Sequence, residues 1–203
     1  MNAIALHDRA LDALGTTIER VDPSQFDDPT PCAEFDVRAL LNHVIGGNYR
    51  FVAIARGEAG AAVPATGDFV TDDAVTPYRE SAGALSQAWA DPSVLERTAH
   101  MPFGDFPGEF ALGIHIVEAV VHSWDLAKAT GQPTELDPVL CDAAWQRSKD
   151  IDDTFRGPGR PFGPAVATPP DATATEKLMG WLGRQPRATS GASRRAPDRA
   201  DRR

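Results

Sequence analysis

The stretch IHIVEAVVHSWD, Ile114 to Asp125, limits what this chain can fold into more than any other segment. Its apolar residues leave no polar face, and a helix that is apolar all round belongs in the interior of a bundle or in a membrane. Four ionisable groups interrupt it, His115, Glu118, His122 and Asp125, and packing alone gives no reason to bury them. They also break the run well short of the roughly 18 uninterrupted apolar residues expected of a membrane span. A core helix carrying a functional polar cluster satisfies both observations.

The flanking sequence supplies helices to pack against it. Residues 2–21 place Ile4, Leu11, Leu14, Ile18 and Val21 on one apolar stripe. After a Pro/Asp-rich break, Asp36 is placed to cap a second helix, with Phe35 and Leu40 at the two positions of a hydrophobic staple. That helix carries Leu40, His43, Val44, Gly47 and Phe51 along one side and ends at Gly57. A Gly/Ala/Pro loop follows, long enough to cross a bundle. Thr76 as cap and Pro77 at the first position open a third helix, with Tyr78, Ala82, Leu85 and Trp89 inward. LERTAHMPFGDFPG has no helical period and reads as extended or turn-like, with Phe103 and Phe106 as local anchors. The fourth helix covers about 109–130 and stops at Gly131, with Pro133 just beyond. Asp137 and Pro138 begin a fifth, and Thr173 with Glu176 has capping-box spacing before a short last helix. The sequence predicts an all-α fold, a four-helix bundle with short additional C-terminal helices.

Composition bounds the rest. A chain of 203 residues suits one core. The N-terminal MNAIALHDRALDALG lacks a signal peptide's apolar centre, and two cysteines are too few for a disulfide framework, so a reducing cytoplasmic setting is expected. The net charge is −9, but residues 187–203 hold six arginines against two aspartates, which leaves the body at −13. Such a body repels nucleic acid. The division expected is a bundle over 1–186 and a disordered basic tail over 187–203.

Within the bundle, Glu118 and His122 stand four apart and share a helix face. His43 lies on a different helix, about seven residues or roughly 10 Å from its start, and His122 about eight residues or roughly 12 Å before its helix ends. If the two helices run oppositely, the residues reach the same level. Two imidazoles and a carboxylate on facing helices make a divalent-metal site with an open fourth position, which suits catalysis. The bare spacing also fits an ordinary buried polar pair, so both readings stand at this point. His115 fits a fourth ligand, an outer partner or a plain helix-edge histidine. Asp125 fits a group that orients a ligand, holds a substrate or pairs with an arginine. His7, Cys32 and Cys141 are placed away from the cluster. No phosphate-binding loop, dinucleotide fingerprint or nucleophile elbow is present.

PTPCAEFDVRALLNHVIGG, PFGDFPGEFALGIHIVEAVVHSWDLAKATGQP and PPDATATEKLMGWLGRQP together resemble the DinB-like superfamily, in its actinobacterial branch similar to mycothiol-dependent maleylpyruvate isomerase. The resemblance implies an up-down-down-up bundle, with His43, Glu118 and His122 as metal ligands, zinc as the usual metal, and Asp125 beside a thiol-binding cleft. The isomerase looks like a bundle followed by a separate C-terminal domain, whereas only about seventy residues follow Gly131 here. What transfers is metal plus thiol rather than maleylpyruvate as substrate.

The expected activity is that of a divalent-metal-dependent S-transferase or isomerase using mycothiol on a small electrophile, with Asp125 in the catalytic role. The alternatives are a non-catalytic metal-binding bundle for stress response or sensing, and a metal-dependent hydrolase of small molecules. No nucleic acid or membrane partner is expected, and a homodimer is left open.

Overall fold

The protein is described from a computed structural model over residues 1–59, 67–157 and 162–187. The helices are α1 Ala3–Ile18, α2 Val37–Ala55, α3 Val75–Trp89, α4 Gly108–Ala129, α5 Pro138–Ser148 and α6 Ala174–Trp181. One antiparallel hairpin, β1 Thr98–Met101 and β2 Gly104–Pro107, pairs Thr98 with Pro107 and Met101 with Gly104. The segment without helical period is this hairpin.

Most boundaries follow from local chemistry. Asp36 accepts from the Ala39 amide at 2.8 Å and caps α2, as expected. Gly57 and Gly131 end α2 and α4 at φ +80° and +70°, the left-handed region where a side chain is strained. Asp137 caps α5, and the Thr173/Glu176 capping box opens α6. The third helix differs from expectation. It begins two residues earlier, at Val75 rather than Pro77, and Asp73 rather than Thr76 accepts from its first amides, those of Val75 and Thr76. A carboxylate is the better acceptor at a helix N-terminus, where the backbone dipole favours negative charge. Phe103 is no anchor, being 53% exposed, while Phe106 stacks on Phe110 with ring centroids 4.6 Å apart. The loop expected to cross the bundle lies partly outside the described residues, as does the basic tail beyond Arg187. Arg187 itself pairs with Glu176 and Asp171.

The bundle closes as a ring in which α1 lies against α3 and α4, and α2 against the same two. α1 and α2 therefore stand diagonally opposite. α5 covers α4 and carries α6. By length and composition α4 could cross a membrane, but 83% of its most apolar window is buried in this fold.

The core divides into two apolar clusters. One gathers Leu14, Ile18, Leu40, Ile45, Tyr78, Ile116, Trp124 and Leu178; the other gathers Leu11, Phe51, Leu85, Trp89, Met101 and Leu112. Along each helix the switch between clusters falls near a buried polar residue: His7 on α1, Asn48 on α2, Ser81 on α3 and His115 on α4. A polar layer thus crosses the bundle, and its members bond in pairs. Asn48 Nδ2 donates to Ser81 Oγ at 2.9 Å, and His7 Nε2 lies 3.0 Å from His115 Nδ1.

Candidate metal centre

A cavity of about 10 Å³ opens in this layer, lined by Leu14, His43, Val44, Gly47, Asn48, His115, Glu118, Ala119 and His122. That is room for roughly one water-sized body. His43, Glu118 and His122, far apart in sequence and on two helices, all form its wall. Gly47, one turn from His43, keeps the wall open, because a Cβ added there would meet no other atom within 4 Å.

His43 and His122 face each other edge to face, with centroids 5.2 Å apart. Phe35 stacks on His43 at 5.0 Å, so the aromatic placed as a staple also covers this ring. Burial, with His122 and Arg50 alongside, pushes His43 down to about 4. The ring is therefore neutral at pH 7 and has a lone pair to give. Burial pushes the Glu118 carboxyl above its ordinary value, only partly offset by His122 and Arg50. A carboxylate so placed gains from a nearby cation.

His122 is held from behind. Its Nδ1 lies 3.1 Å from Asp125 Oδ2. A carboxylate only accepts, so Nδ1 carries a proton and donates, and Nε2 is the nitrogen left for another partner. Asp125 is held in turn by Arg184, which donates from Nη2 to Oδ2 at 2.9 Å and from Nε to Oδ1 at 3.2 Å. Asp125 is 0% exposed. Burial opposes its charge, but hydrogen bonds from His122 and Arg184 and the guanidinium charge outweigh this and hold the carboxyl below its usual range. Both Asp125 oxygens are engaged: one orients the His122 ring, and both accept from Arg184. An imidazole whose second nitrogen donates to a carboxylate is the usual arrangement behind a metal ligand.

Arg184 was not visible in the sequence. It follows α6 directly, where Gly183 at φ +84° turns the chain back. Two further placements are corrected. Cys32 was set apart from the cluster, yet its Sγ, a nitrogen of His122 and an oxygen of Asp125 lie within 4.8 Å of one another. His7, expected away from the cluster, reaches His115 because α1 packs on α4. Burial lowers His7 to about 4 and His115 well below the ordinary histidine value, so both are neutral.

Which set fits a cation? Cys32, His122 and Asp125 are the tight cluster of potential ligand atoms among the described residues. As a trio they fit poorly, because the Arg184 guanidinium already neutralises Asp125 and occupies both its oxygens. Burial also pushes the Cys32 thiol up, with Arg184 offsetting only part of it, so the sulfur is a protonated thiol. His43, Glu118 and His122 fit better by donor chemistry: two imidazoles and a half-buried carboxylate around a space the size of one atom. Their ligand atoms are not all within 4.8 Å of one another, so holding a cation requires the side chains of the set to draw together.

Comparison with known proteins adds the following. The profile of the mycothiol maleylpyruvate isomerase N-terminal domain matches residues 7–127. Two uncharacterized proteins from two strains of Mycobacterium tuberculosis are each 32% identical over 185 residues, covering 91% of this chain and 98% of theirs. Among solved structures, the mycothiol-dependent maleylpyruvate isomerase aligns with a TM-score of 0.55 at 14% identity over 70% of this chain. A histidine-to-alanine mutant of that enzyme aligns at 0.59 and 15%. The alignment spans 65% of the isomerase's own length, and at such identity the likeness is one of fold.

Proposed function

Because this chain belongs to the mycothiol maleylpyruvate isomerase N-terminal domain family, we propose that it is a divalent-metal-dependent enzyme, zinc being the expected metal, that uses a mycothiol-type thiol on a small electrophile. The reaction is S-transfer or thiol-assisted isomerisation in the cytoplasm. The observation that carries this reading is the meeting of His43, Glu118 and His122 at one cavity of about 10 Å³.

His43 and His122 would hold the metal through neutral nitrogens, and Glu118 would supply the negative charge. When bound, the cation would lower the pKa of a coordinating thiol and keep it as thiolate at neutral pH. The chain's own residues do the rest. Asp125 keeps the proton of His122 on Nδ1, Arg184 keeps Asp125 ionised, and Phe35 shields the His43 ring from water. The thiol sulfur then adds to the electrophilic carbon. Loss of a leaving group from that carbon completes a transfer; rotation and expulsion of the same thiol completes an isomerisation.

Full zinc occupancy, mycothiol binding by calorimetry, and consumption of a generic electrophile only with the thiol present are the expected results. Zinc occupancy with no thiol binding would end the enzymatic half of the reading.

One observation favours the rival, a non-catalytic binding or sensing bundle: the Cys32 sulfur, a nitrogen of His122 and an oxygen of Asp125 gather within 4.8 Å, a set of potential ligands of which only His122 lines the cavity. Cys32→Ser separates the two. Under the enzymatic reading zinc affinity and thiol binding persist in C32S; under the rival, zinc is lost.

A further inference from the structure

The polar layer contains two fully buried atoms that bond to nothing among the described residues: Asn48 Oδ1 and His7 Nδ1. Asn48 and His115 also line the same one-atom cavity as the proposed ligands. The direction of each bond can be worked out from the fixed end. Ser81 Oγ donates to the Tyr78 carbonyl at 2.9 Å, which leaves Ser81 able only to accept from Asn48. The amide NH2 therefore faces Ser81, and Asn48 Oδ1 is left as an unsatisfied acceptor.

At the other end, His7 Nε2 and His115 Nδ1 share one proton. If His115 were the donor, His7 Nδ1 would be a buried N–H with no acceptor, which is rarer in folded proteins than an unsatisfied acceptor. His7 Nε2–H therefore donates, His115 Nδ1 accepts, and the His115 proton lies on Nε2. With Nδ1 committed, Nε2–H is the polar edge His115 has left for the cavity it lines. The cavity thus offers one donor, from His115, and one acceptor, from Asn48. A body that accepts once and donates once completes both.

We propose that the cavity floor is a single-water site, in which His115 Nε2–H donates to the water oxygen and the water donates to Asn48 Oδ1. The result is one directed chain of hydrogen bonds, from His7 through His115, the water, Asn48 and Ser81 to Tyr78, with a member from each of the four bundle helices. Burial of both imidazoles, which keeps them neutral, is consistent with it. In zinc-free protein the water takes the one-atom space that a cation would otherwise claim, so the site stands whether or not the metal reading does. It makes His115 a donor to water rather than a fourth ligand, so the fourth position of a cation held by His43, Glu118 and His122 stays available to a thiol.

The test is 15N–1H long-range correlation on the full-length protein, with and without zinc, paired with a high-resolution crystal structure. In the expected result, His115 shows the Nε2–H tautomer in both states, and in the zinc-free crystal one ordered water lies within hydrogen-bond reach of both His115 Nε2 and Asn48 Oδ1. An Nδ1–H tautomer at His115, direct zinc ligation of its Nε2, or a zinc-free cavity without the water would each overturn the proposal. Zinc-induced shifts at His43 and His122 report separately on the metal reading, so either can fail while the other stands. His7→Phe gives a second arm: without the donor, His115 becomes a mixture of tautomers, and an unchanged spectrum would count against the chain.

Discussion

Two imidazoles on α4, His115 and His122, differ in what stands behind them. His122 leans on the Asp125 carboxylate, itself locked by the Arg184 guanidinium. His115 leans on a second neutral imidazole, His7. The geometry is nearly the same, about 3 Å from one ring nitrogen to its partner in each case. The charge of the partner makes the difference. A carboxylate fixes the proton on the inner nitrogen and turns a lone pair outward, as a metal requires. A neutral donor does the reverse and turns an N–H outward.

The largest expected effect comes from removing the ring on the charged side. His122→Ala should abolish zinc binding in a chelator-competition titration, a loss beyond the roughly 10–100-fold typical of removing an outer partner. The same substitution at His115 should leave zinc affinity unchanged. Equal losses at both positions would break the contrast.

Arg184→Met comes next. It leaves the Asp125 carboxylate buried and unpaired, and breaking a buried pair in this way costs about 3–5 kcal/mol, readable by urea denaturation. Asp125→Asn removes the charge together with the need for its partner. It should lower zinc affinity about 10–100-fold while costing less stability than Arg184→Met.

The neutral side should show itself in acid. His7 and His43 are lowered to about 4 and His115 also lies below its unfolded value, all chiefly through burial. Their contribution is fully present above the unfolded histidine value near 6.5. It falls as pH drops from there towards about 4, because the unfolded chain takes up protons that the folded chain refuses. Each such histidine adds a slope of about 1.4 kcal/mol per pH unit in zinc-free protein. Asp125, lowered rather than raised, begins to subtract only below the unfolded carboxylate value near 3.9. His7→Phe should flatten the upper limb by one histidine. At neutral pH the same change leaves His115 Nδ1 unsatisfied and costs about 1–3 kcal/mol, with zinc affinity untouched.

The sequence made visible what depends on neighbours along one helix. The Asp36 cap, the stops at Gly57 and Gly131 and the Thr173/Glu176 box all rest on contacts a few residues apart. His43, Glu118 and His122 stood out because ionisable groups in an apolar run need a reason to be there. The rest depended on which helices touch. His7 was misplaced because the ring order of the bundle, α1 against α4 and diagonal to α2, is not encoded in any single helix's period. Cys32 sits in a loop, where no periodicity assigns a direction. Arg184 lies 59 positions from the carboxylate it holds, in a short segment whose arginine looked like any surface charge. Asp73 displaced Thr76 as cap by a difference in acceptor strength that spacing does not reveal.

The guanidinium that neutralises Asp125 comes from 59 positions further along the chain. A cut anywhere before Arg184 would seal a bare carboxylate inside apolar surroundings and remove the brace behind His122. Such a clipped product would be fragile, an easy mark for proteolytic clearance.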